Sequence, residues 1–240
     1  MKQLKLWMLR HGQCEGGNIL RGQVDVLLSQ AGQAQMDKAF SAIPQLPTEI
    51  VSSPLQRCAL WSNKTAVENK LVMSTLNGFA EMDFGDWDGK TFDELYQHSA
   101  EKMDAFWRDP WQTKNSPPNG ETLADFELRV LNELSQLLES HANQTTTSED
   151  ATASVLMVTH GGVIKVILGH ILKAQQNNGL FSQFTLPYAA LLEVDIYFST
   201  PEQASNTNSP STIATATATS LESVQQQLQA YQFCMHWPKL

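Results

Sequence analysis

A chain of 240 residues with 42% hydrophobic content can bury a full core as one domain, or as one domain with excursions. Its formal net charge of -9 and pI near 5.1 disfavour a nucleic-acid surface, which needs clustered Lys and Arg; any phosphate it binds is therefore small and held locally. Three cysteines, Cys14, Cys58 and Cys234, have no CxxC spacing and leave one over if two were joined, which argues against a disulfide scaffold and for a reducing cytoplasm.

The first residues lead into an apolar run at 4–9 that reads as a strand, without a signal-peptide apolar region. No apolar run reaches membrane-spanning length, so neither a membrane nor nucleic acid is expected as a partner. Arg10-His11-Gly12 follows the strand directly. A Gly-containing turn there brings side chains to the C-terminal sheet edge, where open α/β sheets bind ligands. A neutral imidazole is a competent nucleophile near pH 7, and a guanidinium beside it holds phosphate oxygens in bidentate fashion. A lone histidine in a turn is more often structural, so this reading needs partners elsewhere.

Residues 13–23 carry further glycines and form a loop able to approach a ligand closely. Within it, Asn18 is either a phosphate or substrate donor or a turn former, and Arg21 either reaches the leaving group or is a solvated loop cation. Ser29 caps a helix supported by Ala31, Ala34 and Ala39 and ended by Pro44 and Pro47. Residues 49–52 read as a second strand, and Pro54 opens the next helix, which puts Arg57 in its first turn. Helix N-terminal amides and a guanidinium would then point at one anion. Residues 71–76 read as a third strand, apolar enough to be buried on both faces.

The following loop carries Glu81, Asp83, Asp86 and Asp88 around Phe84, Gly85 and Trp87. Its carboxylates do not alternate as an EF-hand requires, which disfavours calcium. Residues 91–109 read as short helices with aromatic anchors Phe92, Tyr96, Phe106 and Trp107, forming a lid that stops at Pro110. A long amphipathic helix follows Gly120-Glu121-Thr122, with Thr122 as its cap. Residues 141–153 are polar and Thr-rich and read as a flexible loop. A buried strand at 155–159 then delivers His160-Gly161-Gly162 to the start of a helix. Residues 191–197 alternate like an exposed edge strand, 205–220 are a flexible low-complexity segment, and 231–235 suit a last edge strand.

Arg10-His11-Gly12, the run from Ser52 to Cys58, the run from Glu81 to Gly89 and Thr159-His160-Gly161-Gly162 occur in that order. Together they resemble the histidine phosphatase superfamily, in the branch that includes cofactor-dependent phosphoglycerate mutase, over most of residues 4–198. The resemblance implies an α/β fold, a three-layer α/β/α sandwich with a mostly parallel sheet, as a single domain over 1–240 with its core at about 4–198. It makes His11 the nucleophile and Glu81 the proton donor. Arg10, Arg57 and His160 become phosphate ligands, with Asn18 and Arg21 on the substrate.

The implied reaction is hydrolysis of a small phosphorylated metabolite through a phosphohistidine, with no metal and no cofactor, by a monomer or homodimer. The stretch between Glu81 and Gly120 is shorter than the mutases use to cover their substrates, which favours a phosphatase. The 16–22 loop is most similar to the α-ribazole phosphatase subgroup of cobalamin nucleotide-loop assembly. A phosphoglycerate mutase, a broad sugar-phosphate phosphatase and a non-catalytic phosphate- or partner-binding module stand as alternatives. A cysteine-dependent phosphatase fits less well, since six residues, not five, separate Cys14 from Arg21.

Overall fold

The computed structural model describes residues 3–143, 153–198 and 220–236. Six strands form one sheet in the order β3-β2-β4-β1-β5-β6. Here β1 is Gln3–Arg10, β2 Glu49–Ser52, β3 Val72–Thr75, β4 Ala153–Thr159, β5 Leu191–Phe198 and β6 Tyr231–His236. The first four are mutually parallel; β5 runs antiparallel to β1, and β6 antiparallel to β5. The helices are α1 (Gln30–Ser41), α2 (Gln56–Asn69), α3 (Phe92–Arg108), α4 (Leu123–Asn143), α5 (Gly161–Ile171), α6 (Asn178–Ser182) and α7 (Leu221–Leu228).

Strand alternation splits the core between two faces. Trp7, Leu9, Ile50, Leu156 and Val158 pack with Met36 of α1 and Cys58 and Trp61 of α2. Leu4, Leu6, Met8, Val51, Val155 and Met157 pack on the other face with α4, α5 and α7. The result is the expected α/β/α sandwich with a mostly parallel sheet.

Register brings the motifs together. Arg10 lies opposite Thr159 and Ser52 opposite Val158, so three strands end level. Just beyond those ends the His11 amide donates to Thr159 O (2.9 Å) and the Ser53 amide to Val158 O (2.9 Å).

Local chemistry fixes the helix starts. The Gly32 amide donates to Ser29 Oγ at 3.0 Å, as expected of an N-cap. A Cβ on Gly12 would lie 2.2 Å from Gly32 O, so glycine at both positions lets α1 sit against the His11 turn. No side chain of its own caps α2; instead the Asp25 carboxylate accepts from the Gln56 amide at 2.7 Å. Thr91 and Glu94 make a capping box on α3, and Thr122 accepts from the Asp125 amide (3.1 Å) on α4.

Several expectations are corrected. Strand β3 is an edge strand and largely exposed, with Val72 68% accessible, because only β2 pairs with it. Conversely, β5 is internal, between β1 and β6. Its alternating acids are neutralised in place: Lys5 bonds Glu193 and lies 3.0 Å from Asp195, which also accepts from His236 (2.7 Å). Residues 92–108 form one helix kinked at Ser99, and Tyr96 is exposed and anchors nothing. Phe106 is fully buried and edge-on to Phe84, Trp87, Trp107 and Phe181, and Phe92 and Trp107 also pack against this core as expected. Helix α4 continues through Asn143, with the Nε2 of buried His141 lying 2.7 Å from Glu49 Oε1. The packed structure also continues past residue 198, since α7 lies on α4 and β6 on β5. Residues 144–152 and 199–219, which hold most of the two expected low-complexity segments, lie outside the described residues. No helix among the described residues is long and apolar enough to cross a membrane.

Glu127 of α4 is 2% accessible, and its Oε2 has no hydrogen-bond partner. Burial pushes its carboxyl up to about 7 from an ordinary 4.5. The folded chain then binds more protons than the unfolded one between those values, so stability falls as pH rises through that window. In Glu127→Gln this slope is expected to vanish. Unfolding followed from about pH 5 to about pH 8 should show the difference moving in the variant's favour; curves that fall in parallel would place the pH dependence elsewhere.

Candidate active site

His11 leaves β1 and is 4% accessible. Its Nδ1 lies 2.8 Å from Gly12 O. A carbonyl only accepts, so Nδ1 carries the proton and Nε2 presents a lone pair. Burial first, then the Arg57 charge, with smaller contributions from Arg10 and Arg21, drives the ring's pKa down to about 3. The histidine is therefore neutral throughout the physiological range.

Arg57 is fully buried in the first turn of α2. It donates from Nη1 to Val24 O (2.9 Å), from Nη2 to Gly22 O (2.6 Å) and from Nε to His160 Nδ1 (3.3 Å). The carbonyls it uses are themselves held. Asp88 accepts from the Gly22 amide at 2.8 Å, from the Val24 amide at 3.1 Å and from the Gln23 amide between them. Asp88, one acid of the cluster after β3, thus fixes the loop that fixes Arg57.

His160, the N-cap of α5, stands edge-on to His11 with ring centroids 5.2 Å apart. Because Nδ1 accepts from Arg57, Nε2 carries the proton and donates to Ser53 Oγ at 2.6 Å. Burial, followed by the neighbouring Arg57 charge, holds its pKa well below the ordinary histidine value. His160 therefore joins the site as a neutral ring with both nitrogens bonded to protein.

Arg10 is half-buried. It donates from Nη1 to Leu186 O and stacks on Tyr188, with the guanidinium carbon 4.5 Å from the ring centroid. Its Nε is buried and unpartnered. That atom lies by the start of α5, where a Cβ on Gly161 would be 3.4 Å away. An orphaned cationic N–H beside a helix N-terminus is the donor chemistry an oxyanion takes up.

Glu81 is 8% accessible. Its Oε1 accepts from the Met82 amide (3.0 Å) and its Oε2 from the Gly162 amide (3.1 Å). A Cβ at residue 162 would sit 2.2 Å from Oε1, so the second glycine of His160-Gly161-Gly162 makes room for this carboxyl.

The structure thus gathers Arg10, His11, Arg57, Glu81 and His160, and treats the remaining two residues differently. Asn18 is exposed on the 15–19 loop. Arg21 folds back on the carbonyls of Glu15 (3.0 Å), Ile19 (3.3 Å) and Gly17, bracing that loop. Its charge still contributes to keeping His11 neutral.

Residues missed as site components are Tyr188, whose ring centroid is 5.8 Å from that of His11, and Ser53 and Asp88 as supports. Ser53 sits in the Ser52–Cys58 motif, which is a usable signal; Tyr188 arrives from a segment with no periodicity or motif. Cys14 Sγ lies 3.5 Å from His11 Nδ1, on the face away from the nucleophilic nitrogen, and burial raises its thiol pKa. A neutral thiol on that side does not suit a cysteine-dependent mechanism.

The chain is similar to several known proteins. Adenosylcobalamin/alpha-ribazole phosphatase of Escherichia coli (strain K12) is 25% identical over 172 residues, which cover 70% of this chain and 79% of that protein. A bifunctional protein of Mycobacterium tuberculosis is 28% identical over 197 residues, which are 80% of this chain but 50% of that one. The solved structure of a mycobacterial glucosyl-3-phosphoglycerate phosphatase matches with a TM-score of 0.70 at 26% identity, covering 82% of this chain and 92% of that one. The family model of the histidine phosphatase superfamily (branch 1) matches residues 6–208. With two histidines and two arginines meeting at one parallel sheet edge and that match over most of its length, the chain belongs to branch 1 of the histidine phosphatase superfamily.

Proposed function

We propose that this chain is a metal-independent phosphomonoesterase that works through a phosphohistidine at His11. The observation that carries the reading is the state of that ring: neutral, buried among arginines, with Nδ1–H committed to Gly12 O and Nε2 left bare. Nε2 attacks phosphorus while the ester P–O bond breaks, and a protonated Glu81 gives its proton to the departing alkoxide. Water then attacks the phosphohistidine, passing a proton to Glu81; the P–N bond breaks and both groups return to their starting states. Arg10 and Arg57 supply the positive charge that the equatorial oxygens need in the transition state, which is why no metal is invoked. In this reading His160 orients Arg57 and borders the phosphate as a neutral ring.

Within this reaction class we take α-ribazole 5'-phosphate as the preferred substrate, on the strength of the likeness to the Escherichia coli protein. The likeness to the mycobacterial phosphatase supports a second reading, an acidic sugar phosphate. The enzyme would act on these small metabolites in the cytoplasm, where Cys14, Cys58 and Cys234 stay reduced, as a monomer or homodimer. The test is kcat/KM in EDTA on α-ribazole 5'-phosphate, glucosyl-3-phosphoglycerate and 3-phosphoglycerate. We expect the first to lead by about tenfold or more, a difference of ~1.4 kcal/mol in transition-state binding. An equal or better rate on 3-phosphoglycerate would remove the α-ribazole assignment. Silence across a broad ester panel would remove the enzyme reading in favour of a phosphate-binding module.

A further inference from the structure

The Glu81 carboxyl is placed by two amides, but nothing in those bonds fixes the loop from which it projects. That loop, residues 78–83, has little regular structure beyond a short 3-10 turn at Asn77–Phe79. It is held from α4. Arg129 donates from Nη1 to Gly78 O (3.0 Å) and Ala80 O (3.1 Å), and from Nη2 to Glu81 O (3.4 Å).

The same guanidinium makes a bidentate pair with Glu121, Nε to Oε1 and Nη2 to Oε2, both at 2.9 Å. All five of its N–H donors are thereby used. Glu121 closes the arrangement: its amide donates to Asp83 O (2.9 Å), and its Oε2 accepts from the Asp83 amide (3.3 Å). The Phe126 ring lies 5.1 Å from the guanidinium carbon and confines it further. A planar fork with every donor engaged has one position, and so does the loop it holds.

We propose that Arg129, locked by Glu121, is a positioning residue for the proton donor, so that this pair governs protonation of the leaving group more than transfer of phosphate to His11. The proposal rests on Glu81 being that donor. A displacement of about 1 Å in a catalytic group is enough to lose on the order of 100-fold in rate. The loss should depend on how badly the leaving group needs a proton. A primary alkoxide needs one; p-nitrophenolate departs without it. Loss of positive charge alone would slow both esters alike, since phosphate is common to them.

The experiment compares kcat/KM on a primary alkyl phosphate and on p-nitrophenyl phosphate for the parent enzyme, Arg129→Lys, Glu121→Gln and Glu81→Gln. Arg129→Lys keeps the charge but cannot reproduce the fork, and Glu121→Gln is a milder change that serves if the first variant folds poorly. For both, the alkyl-to-nitrophenyl ratio is expected to fall by about 10- to 100-fold, reaching at most the lower end of the roughly 100- to 10,000-fold that a general acid contributes, because the donor is displaced and not removed. Glu81→Gln should show the same split, at least as large. If Glu81→Gln shows the split and neither clamp variant does, the clamp proposal is wrong while the proton-donor reading stands. If Glu81→Gln shows no split, the donor reading fails and takes the clamp with it.

Discussion

His11→Ala is expected to lower kcat by on the order of 10,000-fold or more on every ester, and to abolish the acid-labile phosphoenzyme trapped by rapid quench in the parent. The size follows from removing the nucleophile on which the phosphoenzyme route depends. The arginines would still bind phosphate, so the variant should retain affinity for inorganic phosphate while losing turnover. The pH behaviour is also constrained. Since burial and the Arg57 charge hold the ring's pKa at about 3, the neutral nucleophile persists as the medium is acidified through pH 5. Any acid limb seen there belongs to the substrate phosphate or another group. Cys14, whose sulfur is 3.5 Å from the same ring, is the control. Cys14→Ser should stay within about tenfold of the parent, because its buried neutral thiol takes no part in the chemistry. Retention of turnover in His11→Ala with loss in Cys14→Ser would reverse the assignment.

Arg57→Lys is the second large expectation. Lysine keeps the charge but offers a single ammonium, which cannot reach Val24 O, Gly22 O and His160 Nδ1 from one position. The effect should appear twice. With the guanidinium gone from a fully buried site, at least one carbonyl and His160 Nδ1 lose their donor; broken buried networks of this kind cost about 3–5 kcal/mol of stability. Misplacing a transition-state cation costs a further 100- to 1,000-fold in kcat/KM, or ~3–4 kcal/mol. Thermal unfolding and steady-state kinetics on the same preparation separate the two. A destabilised variant with parental kcat/KM would make Arg57 a purely structural residue, and a stable but slow one would make it purely a charge.

The sequence carried the site's chemistry because its parts are short, sharply typed and attached to strand ends. Arg10-His11-Gly12 follows β1 and His160-Gly161-Gly162 follows β4, and adjacent parallel strands ending level leave their next residues side by side. Arg57 lies in a first turn as expected, although the helix starts at Gln56 with Leu55 as its N-cap, so Pro54 precedes the cap and does not itself open the helix. Harder to read was anything set by which strand neighbours which. The apolar run at β3 looked like a central strand, yet lies at the edge. The polar alternation of β5 looked like an edge, yet Lys5 and His236 from the strands on either side satisfy its acids.

What the sequence determined by itself, then, was which candidate groups reach the sheet edge and the element on which each sits, since motif chemistry and helix and strand signals are local. Only the tertiary structure decided how those groups are held. It gave His160 to Arg57 and Ser53, Arg21 to its own loop, Asp88 to the backbone that carries Arg57, and Arg129 to the loop of Glu81. Those partners lie from 2 to more than 100 residues apart in the chain. For the buried pairs, the selection comes from the need of a donor or acceptor to find a mate once water has been excluded, and no local pattern records that need.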